Sequence, residues 1–162
     1  MLRSSGHRRS VLVDDMLKRD DVVLMFVPVF SPLGNLAFAL RREVFVIEQQ
    51  IDEAEEFDAH DLTARHLVAL SEGRVVGTLR LIGETEMVRI GRVAVAQAFR
   101  GRGIALAMMR HAMQHEVAAG RLRFRLDAQV DKVGFYERLG FVAEGEPFDD
   151  GSGIMHLAMH SA

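Results

Sequence analysis

The chain has 162 residues, of which 49% are hydrophobic, enough for one substantial core and too few to expect two. Its formal net charge of −3 and pI of about 6.2 exclude a global positive charge that would hold a nucleic acid or an anionic membrane. The lack of cysteine excludes disulfides, zinc–thiolate sites and thiol nucleophiles, and it suits a reducing cytoplasm, where we expect this protein to be located.

Residues 1–20 include Arg3, Arg8 and Arg9, but the apolar segment 11–13 ends at Asp14 and is too short for the hydrophobic part of an export signal. We expect this stretch to be a disordered or loosely docked extension, with a functional basic arm as the alternative. No stretch of the sequence reaches the ~20 apolar residues that a membrane-spanning helix requires. Residues 21–162 are therefore expected to form a single domain outside the membrane.

The first elements after this extension are a strand and an amphipathic helix. The continuous apolar run 22–30 predicts a strand, and Pro28 within it favours the edge of a sheet because proline has no N–H to donate. Ser31 and Pro32 are typical of a helix N-terminus. The apolar stripe of this helix comprises Leu36, Leu40, Val44 and Ile47.

An acidic segment follows this helix, with no Lys or Arg before Arg65. Its six carboxylates are Asp52, Glu53, Glu55, Glu56, Asp58 and Asp61. One interpretation is a solvated acidic loop, and the other is a rim that attracts a cationic amine. The residues alone leave both interpretations open.

Three strands then form a predicted antiparallel meander. Apolar runs at 66–70 and 75–82 are joined by a four-residue turn that contains Gly73, which is typical of a hairpin. A second turn near Gly83 leads into a third run at 87–96. The meander therefore delivers the chain to a glycine-containing segment.

That segment has the features of a phosphate-binding loop. Gly101 and Gly103 precede a run of helix formers, so a glycine turn opens a helix whose first N–H groups are unpaired and whose dipole is positive at that end. Arg100 and Arg102 add two charges suited to phosphate oxygens. A P-loop would need Lys and then Ser or Thr after Gly103, and a Rossmann turn would need a small residue where Leu106 stands, so both are rejected.

The remaining elements are a helix, a strand, a second helix and a closing hairpin. The first helix is predicted to end at Gly120. Its apolar stripe comprises Leu106, Met109, Met113 and Val117. Residues 121–129, which include Leu122, alternate apolar and polar side chains, which predicts a strand with one polar face. A helix at 130–139 and strands on either side of the turn 149–153 complete the chain.

The glycine segment resembles the pyrophosphate loop of the GCN5-related N-acetyltransferase (GNAT) family. In that family the pattern is Gln or Arg, two residues, Gly, one residue, and Gly or Ala, and here Arg100, Gly103 and Ala105 occupy these positions. The predicted order of elements is also similar to that of the family: strand, helix, three strands, helix, strand, helix and two strands. The resemblance covers roughly residues 22–160.

A second motif carries the same resemblance. The family pattern Asn-x-x-Ala-x-x-x-Tyr-x-x-x-Gly-Phe is matched by Tyr136, Gly140 and Phe141, whereas Gln129 and Lys132 depart from it. The segments LRREVFVIEQQ, IGRVAV, LDAQ, GFYERLGF and DDGSGIMH are similar to the ElaA/YjcF-like branch of the family.

The resemblance implies an α/β fold, the acyl-CoA N-acyltransferase fold, with flanking helices and a mixed, mostly antiparallel central sheet that is splayed between its fourth and fifth strands. It implies acetyl-CoA as cosubstrate, with the pantetheine between these strands and the pyrophosphate on the glycine loop. The residues expected to contact acetyl-CoA are Val93, Ala94, Val95, Arg100, Gly101, Arg102, Gly103, Ile104, Ala105, Gln129, Phe135 and Tyr136.

The resemblance also implies direct transfer of an acetyl group to an amine. Tyr136 would protonate the departing thiolate, and Glu48 or His66 would act as general base through a water. Structural roles stay open for both: Glu48 would cap or pair, and His66 would be a hydrogen-bonded polar group in the core. A non-catalytic acyl-CoA-binding sensor or scaffold module is the alternative function.

The acceptor is expected to be a small-molecule or peptide amine, and a cationic one if the acidic segment attracts it. We expect no nucleic-acid or membrane partner. We also expect no metal, because His111 and His115 lie four residues apart without a third ligand. The identity of the acceptor and the oligomeric state are left open, with a homodimer among the expectations.

Overall fold

The structure, a computed structural model, describes residues 21–83 and 85–162. The extension expected over residues 1–20 lies outside the described residues. Within the described part, seven strands form one sheet; they are β1 (Val23–Val27), β2 (Arg65–Ser71), β3 (Arg74–Ile82), β4 (Met87–Val95), β5 (Arg123–Gln129), β6 (Phe141–Asp149) and β7 (Met155–Ser161). The α-helices there are α1 (Pro32–Arg41), α2 (Glu53–Glu56), α3 (Ile104–Ala118) and α4 (Val133–Glu137).

The order of strands across the sheet is β1-β2-β3-β4-β5-β7-β6. Neighbouring strands are antiparallel except β4 and β5, which run parallel. Within these two described strands, pairing extends only over residues 87–89 and 123–125, and beyond them the strands diverge. The predicted sheet, mixed, mostly antiparallel and splayed between its fourth and fifth strands, is confirmed.

The boundary between the first strand and the first helix follows from local sequence. β1 lies at an edge of the sheet, as Pro28 predicts, but it ends before that residue and is shorter than the predicted run 22–30. The Ser31 hydroxyl accepts a hydrogen bond from the Gly34 N–H (3.0 Å), and Pro32 is the first helical residue. The predicted helix start is therefore confirmed by its cap.

The apolar stripe predicted for this helix is only half right. Leu36 and Ile47 are 46% and 56% exposed, whereas Leu40 and Val44 are buried. α1 gives way to a π-helical segment, Arg42–Glu48, whose turns contain more residues than α-helical turns, so Ile47 leaves the expected register. The stripe that is buried comprises Gly34, Ala37, Leu40, Arg41, Val44 and Phe45.

α3 likewise buries a different stripe from the predicted one. Met109 is buried as predicted, but Leu106, Met113 and Val117 stay partly exposed. The buried residues of α3 are Ile104, Met108, Met109, Ala112 and Glu116. A charged residue belongs to this stripe because Arg65 and Arg121 bind the Glu116 carboxylate.

Two boundaries in the second half of the chain also differ from prediction. Leu122 is exposed because β5 begins after it. The helix predicted at 130–139 is a 3₁₀ turn, Val130–Lys132, followed by the five-residue α4. Gly140, with a φ of 89°, lies beyond this helix where a stop was expected.

Helices cover the two faces of the sheet. α3 and α4 pack on one face, where Met108 comes so close to Gly77 that an added Cβ would lie 2.9 Å from the methionine Cε. The π-helical segment packs on the other face against Ala94 of β4. Val93 and Val95 pack toward the α3 and α4 layer, so successive residues of β4 face opposite layers.

The acidic segment forms ion pairs instead of a solvated loop. Arg41, only 1% exposed, donates from Nε to Glu56 (2.8 Å) and from Nη1 to Asp61 (2.6 Å). Arg80 Nη1 lies 2.8 Å from both Asp58 and Asp61. The ion network comprises Arg41, Glu56, Asp58, Asp61, Arg80 and Arg92. The solvated-loop interpretation is therefore wrong for Glu56, Asp58 and Asp61, because arginines from α1, β3 and β4 lie against these carboxylates.

Arg41→Ala should destabilise the protein by about 3–5 kcal/mol, because it leaves two buried carboxylates without this partner. Arg42→Ala is the matched control. Arg42 also forms a salt bridge, to Glu53 at 2.7 Å, but both side chains are about half exposed, so we expect a loss within about 0.5 kcal/mol. Urea unfolding measures both losses, and equal values would contradict the role assigned to burial.

Asp58 should give the ion network a pH dependence. Hydrogen bonding from Arg80 lowers the pKa of Asp58 from its ordinary value of 3.8 to about 2. The stabilisation is therefore complete above about pH 4 and is lost as the pH falls toward about 2. Because the side chain is a third exposed, we expect about 1–2 kcal/mol from this group.

Urea unfolding in this acid range tests the pH dependence. The loss of stability on acidification should be smaller in Asp58→Asn than in the wild type. Asp131→Asn, which removes an exposed carboxylate, should behave like the wild type. If Asp58→Asn loses stability as steeply as the wild type, another group is responsible.

Candidate active site

The divergence of β4 and β5 opens a gap in the sheet between residues 90–95 and residues 126–129, which we call the cleft. On the other side of β4 the pairing with β3 shifts register between Thr78 and Arg80. Arg92, within this irregularity, has a positive φ of 54°. Within residues 21–83 and 85–162, the backbone of β4 that faces the cleft has no strand partner, because β5 has already turned away.

The predicted phosphate loop joins β4 to α3 at one end of the cleft. Gly101 and Gly103 have φ values of 76° and 80°, and Gly103 is the N-cap of α3. A Cβ added to either glycine would meet no atom within 4 Å. Ile104 is buried as the first residue of α3, with Ala105 next. The loop is therefore anchored by the helix while its glycines border open space.

Two arginines of this loop bind the protein itself. The Arg102 guanidinium lies 4.8 Å from the centre of the Phe99 ring, and its Nη2 donates to the Ala98 carbonyl. Arg100 donates from Nε to the Val95 carbonyl (3.0 Å). These contacts hold the loop against the end of β4.

Glu48 and Arg100, both predicted site residues, bind each other. Arg100 Nη1 and Nη2 donate to the two carboxylate oxygens of Glu48 at 3.0 and 2.8 Å. Glu48 ends the π-helical segment, so this pair connects that segment to the phosphate loop. The contact supports the pairing role left open for Glu48, because the guanidinium occupies both of its carboxylate oxygens.

Tyr136 lies on α4 among aromatic rings. Its ring is 5.0 Å from Phe135 and 6.2 Å from Phe141, both edge-on. Burial raises the pKa of Tyr136 to about 12. Among the described residues the Tyr136 hydroxyl has no hydrogen-bond partner. It is also not fully enclosed, because the fully buried side-chain atom without a partner in that part of the chain is Arg80 Nε. The hydroxyl is thus a neutral donor that is free to bind a ligand atom.

Gln129, at the end of β5, forms a carboxamide pair with Gln49. Gln129 Nε2 donates to Gln49 Oε1 at 2.7 Å, and the reciprocal contact is 3.5 Å. Gln49 directly follows the π-helical segment, so the pair joins this helical layer to the β5 side of the cleft. Gln49 was not among the predicted site residues, because no local sequence signal relates residues 80 positions apart.

His66 lies away from the cleft, so the structure does not bring this candidate base together with the other predicted site residues. It lies on β2, and both β3 and β4 separate it from the cleft, a distance of about 9–10 Å at the usual strand spacing. The residue is 2% exposed, and its Nε2 donates to the Asp61 carbonyl (2.8 Å). Burial lowers the pKa of His66. Its contacts are those of the alternative role, a satisfied polar group in the core.

The closing hairpin brings a residue to the site that sequence reasoning also missed. His156 on β7 lies opposite Gln129 in the pairing of β5 and β7. The turn before it is held by the Asp149 carboxylate, which accepts from the Gly151 and Gly153 N–H groups. The segment DDGSGIMH, whose likeness to a family branch was noted from the sequence, ends at this histidine and could have indicated it.

The described part of the chain has neither a cluster of metal ligands nor a membrane-spanning helix. It contains no group of three or more His, Asp or Glu side chains that could hold a metal ion. No helix there has both the length and the apolar character needed to cross a bilayer.

The chain matches one family profile and is similar in sequence to two bacterial relatives described here. The family profile described as "Acetyltransferase (GNAT) domain" matches residues 26–162. The uncharacterized N-acetyltransferase YjcF of Bacillus subtilis is 31% identical over 125 residues, which cover 76% of this chain and 88% of YjcF. ElaA of Escherichia coli is 30% identical over 128 residues, which cover 74% of this chain and 81% of ElaA.

Solved structures agree with these matches. The crystal structure of Escherichia coli ElaA has a TM-score of 0.78 at 25% identity and covers 87% of this chain and 99% of its own. The crystal structure of an acyl-CoA N-acyltransferase from Pseudomonas aeruginosa has a TM-score of 0.72 at 33% identity. It covers 88% of this chain and 99% of its own.

Proposed function

This chain belongs to the GNAT acetyltransferase family, and from that premise we propose that it transfers an acetyl group directly from acetyl-CoA to an amine. The observation that carries the proposal is the cleft between β4 and β5, which opens beside a glycine loop at a helix N-terminus. Pantetheine suits such a cleft, because it is extended and its amides can pair with a strand as an added strand would.

The loop suits the pyrophosphate of the same molecule. Gly101 and Gly103 leave open space where other residues would carry Cβ, and the first N–H groups of α3 are directed toward that space. Binding through the Arg100 guanidinium would require its pair with Glu48 to open. We therefore assign the pyrophosphate chiefly to the main-chain amides of residues 101–105.

Tyr136 would act on the leaving thiolate. A thiol has a pKa of about 8.5, whereas the pKa of Tyr136 is about 12, so complete proton transfer from the tyrosine would be unfavourable. The neutral hydroxyl would instead donate a hydrogen bond that stabilises the sulfur as negative charge develops on it. This refines the role of proton donor that the family resemblance implied.

We propose a small-molecule or peptide amine as the acceptor. It would approach from the face covered by α1 and the π-helical segment, because α4 and Tyr136 occupy the opposite face. Four acids of the acidic segment are paired with arginines, so the segment supports a cationic acceptor less than its sequence suggested. A homodimer and a cytoplasmic location stay predictions.

Gly103→Ala should weaken acetyl-CoA binding by about 10- to 150-fold, which corresponds to the loss of a hydrogen bond or two to a charged phosphate. The protein offers no atom for the new Cβ to strike, so the effect would come from the ligand and from the positive φ. Gly73→Ala is the matched control, with a φ of 75°, the same open surroundings and a place in the β2–β3 turn. Calorimetry with acetyl-CoA measures both, and equal weakening in the two variants would contradict the loop assignment.

The function itself is tested by following thiol release from acetyl-CoA with a panel of polyamines, aminoglycosides, amino acids and peptides. In Tyr136→Phe, turnover with any active amine should fall by about 10- to 150-fold, as expected for a lost hydrogen bond to a developing thiolate. The affinity for acetyl-CoA should change little, because the ring is retained. The wild type should also show no loss of turnover from Tyr136 ionisation up to about pH 10, since the raised pKa keeps the hydroxyl neutral.

Two results would count against an enzyme of this kind. Wild-type turnover in Tyr136→Phe would remove Tyr136 from the chemistry. Tight acetyl-CoA binding without thiol release across the panel would favour the alternative, a non-catalytic acyl-CoA-binding module.

A further inference from the structure

We infer that His156 is the general base that takes the proton from the acceptor amine. The inference rests on the proposed function and adds to it a residue that neither the family resemblance nor the sequence motifs assigned. It is carried by the face of the sheet on which His156 lies, by the anchoring of its ring and by the state of its second nitrogen.

His156 faces the layer from which the acceptor would approach. It lies directly opposite Gln129, and facing residues of paired strands share one side of a sheet. Gln129 binds Gln49 at the end of the π-helical segment, so this side is the α1 side. Residues an odd number of positions apart on a strand face opposite sides of the sheet. Ala128 is one position from Gln129, and Met159 is three positions from His156, and both pack with the α3 and α4 layer. The base and Tyr136 would therefore lie on opposite sides of the sheet.

One nitrogen of the ring is anchored. Nδ1 of His156 lies 2.7 Å from the Ile154 carbonyl, which can only accept, so Nδ1 carries the proton and donates. Ile154 is itself fixed, because it packs with the apolar cluster that joins the π-helical segment to Ala94 of β4. This contact selects the neutral tautomer whose lone pair is on Nε2.

The other nitrogen is available. The side chain of His156 is only 10% exposed, yet Nε2 has no hydrogen-bond partner among the described residues. The one fully buried side-chain nitrogen or oxygen without a partner in that part of the chain is Nε of Arg80. Nε2 of His156 therefore reaches the surface of the site from an otherwise enclosed ring, as a base must.

The charges around the ring suit a group that gains a proton. Asp150 Oδ1 lies 3.6 Å from Nδ1. Burial acts to raise the pKa of Asp150, but hydrogen bonds with Ser152 outweigh this effect and lower it. His156 pairs across the sheet with Gln129, Asp127 lies two positions along β5 on the same face, and the Phe148 ring is 6.2 Å from the imidazole. An imidazolium would thus lie beside the Asp150 carboxylate.

In the proposed acetyl transfer, two protons leave the acceptor nitrogen, one before and one after the C–N bond forms. The acceptor ammonium transfers one proton to Nε2 of His156, directly or through one water, and its nitrogen then forms the C–N bond at the thioester carbonyl carbon. The C–S bond breaks, and the electron pair remains on sulfur, which accepts a hydrogen bond from Tyr136. The second proton of the nitrogen passes to the thiolate through solvent, and His156 releases its proton to water. The products are the acetamide and CoA with a free thiol.

Acetyl transfer to two small amines tests the inference. Ethylamine is protonated at neutral pH and needs a base, whereas hydroxylamine is already neutral. In His156→Gln, kcat/KM for ethylamine should fall by about 10²–10⁴-fold, while the fall for hydroxylamine should be much smaller. Acetyl-CoA affinity, measured by calorimetry, should be unchanged, and free imidazole should restore part of the ethylamine rate in His156→Ala.

His160→Gln is the matched control, because His160 lies four residues along the same face of β7 and is bonded through Nδ1 to the Ser161 carbonyl. It should retain wild-type rates. Equal falls for both amines in His156→Gln, or a parallel loss of acetyl-CoA affinity, would overturn the inference. A wild type inactive with both amines and with every amine of the panel above would instead contradict the proposed function.

A measurement on the wild-type protein keeps the inference testable if the variants fail to fold. Long-range ¹H–¹⁵N spectra report which imidazole nitrogen carries the proton. In the neutral ring of His156 we expect the proton on Nδ1 and the lone pair on Nε2. The reverse tautomer would overturn the inference.

Discussion

The structure depends on the early end of the pairing between β4 and β5. A buried N–H or carbonyl group without a partner costs free energy, so a sheet normally continues its ladder until it reaches solvent. Here the ladder stops after three residues on each strand, although both strands continue for several more. The open backbone is thus suited to a ligand that carries amides at strand spacing. The elements around the cleft hold its two sides in place: the Gln49–Gln129 pair on the β5 side, and Arg100 with Glu48 at the end of β4.

Alternation along the strands separates the two halves of the proposed chemistry. Tyr136 lies among aromatic rings on the α3 and α4 side, where burial keeps its hydroxyl neutral. His156 lies on the opposite side, among amides and a carboxylate that accommodate positive charge. Each environment favours the charge state that its half of the reaction needs.

Much of this architecture could be predicted from local sequence signals. Pro28, the Ser31 cap, the hairpin at Gly73 and the glycine loop each depend on neighbouring residues, and the family inferred from the loop and from Tyr136 is confirmed by the family match. The sheet order followed from that resemblance and not from periodicity.

The features that escaped prediction all depend on distant residues. Arg41 meets acids 15 and 20 positions later, and Gln49 meets Gln129 across the sheet. Nothing in the composition of the acidic segment indicated that arginines from three elements would lie against it. The π-helical segment has no sequence signal of its own, so the apolar stripe through Ile47 was read in an α-helical register. The roles of the individual site residues stay predictions, and His66 is the one that the geometry moves away from the cleft.

The π-helical segment makes the site sensitive to chain length at a place that carries none of the proposed chemistry. Relative to an α-helix, such a segment accommodates one additional residue, and each residue rotates the chain by about 100°. Glu48 and Gln49 come directly after this extra residue, and they face the phosphate loop and the end of β5 respectively. A regular α-helix with the same number of residues between Arg42 and Ile47 would turn both side chains away from their partners by about 100°. A one-residue gap at this place in an alignment is therefore compatible with an unchanged active site, because a regular helix that is one residue shorter holds the following residues in the same orientation.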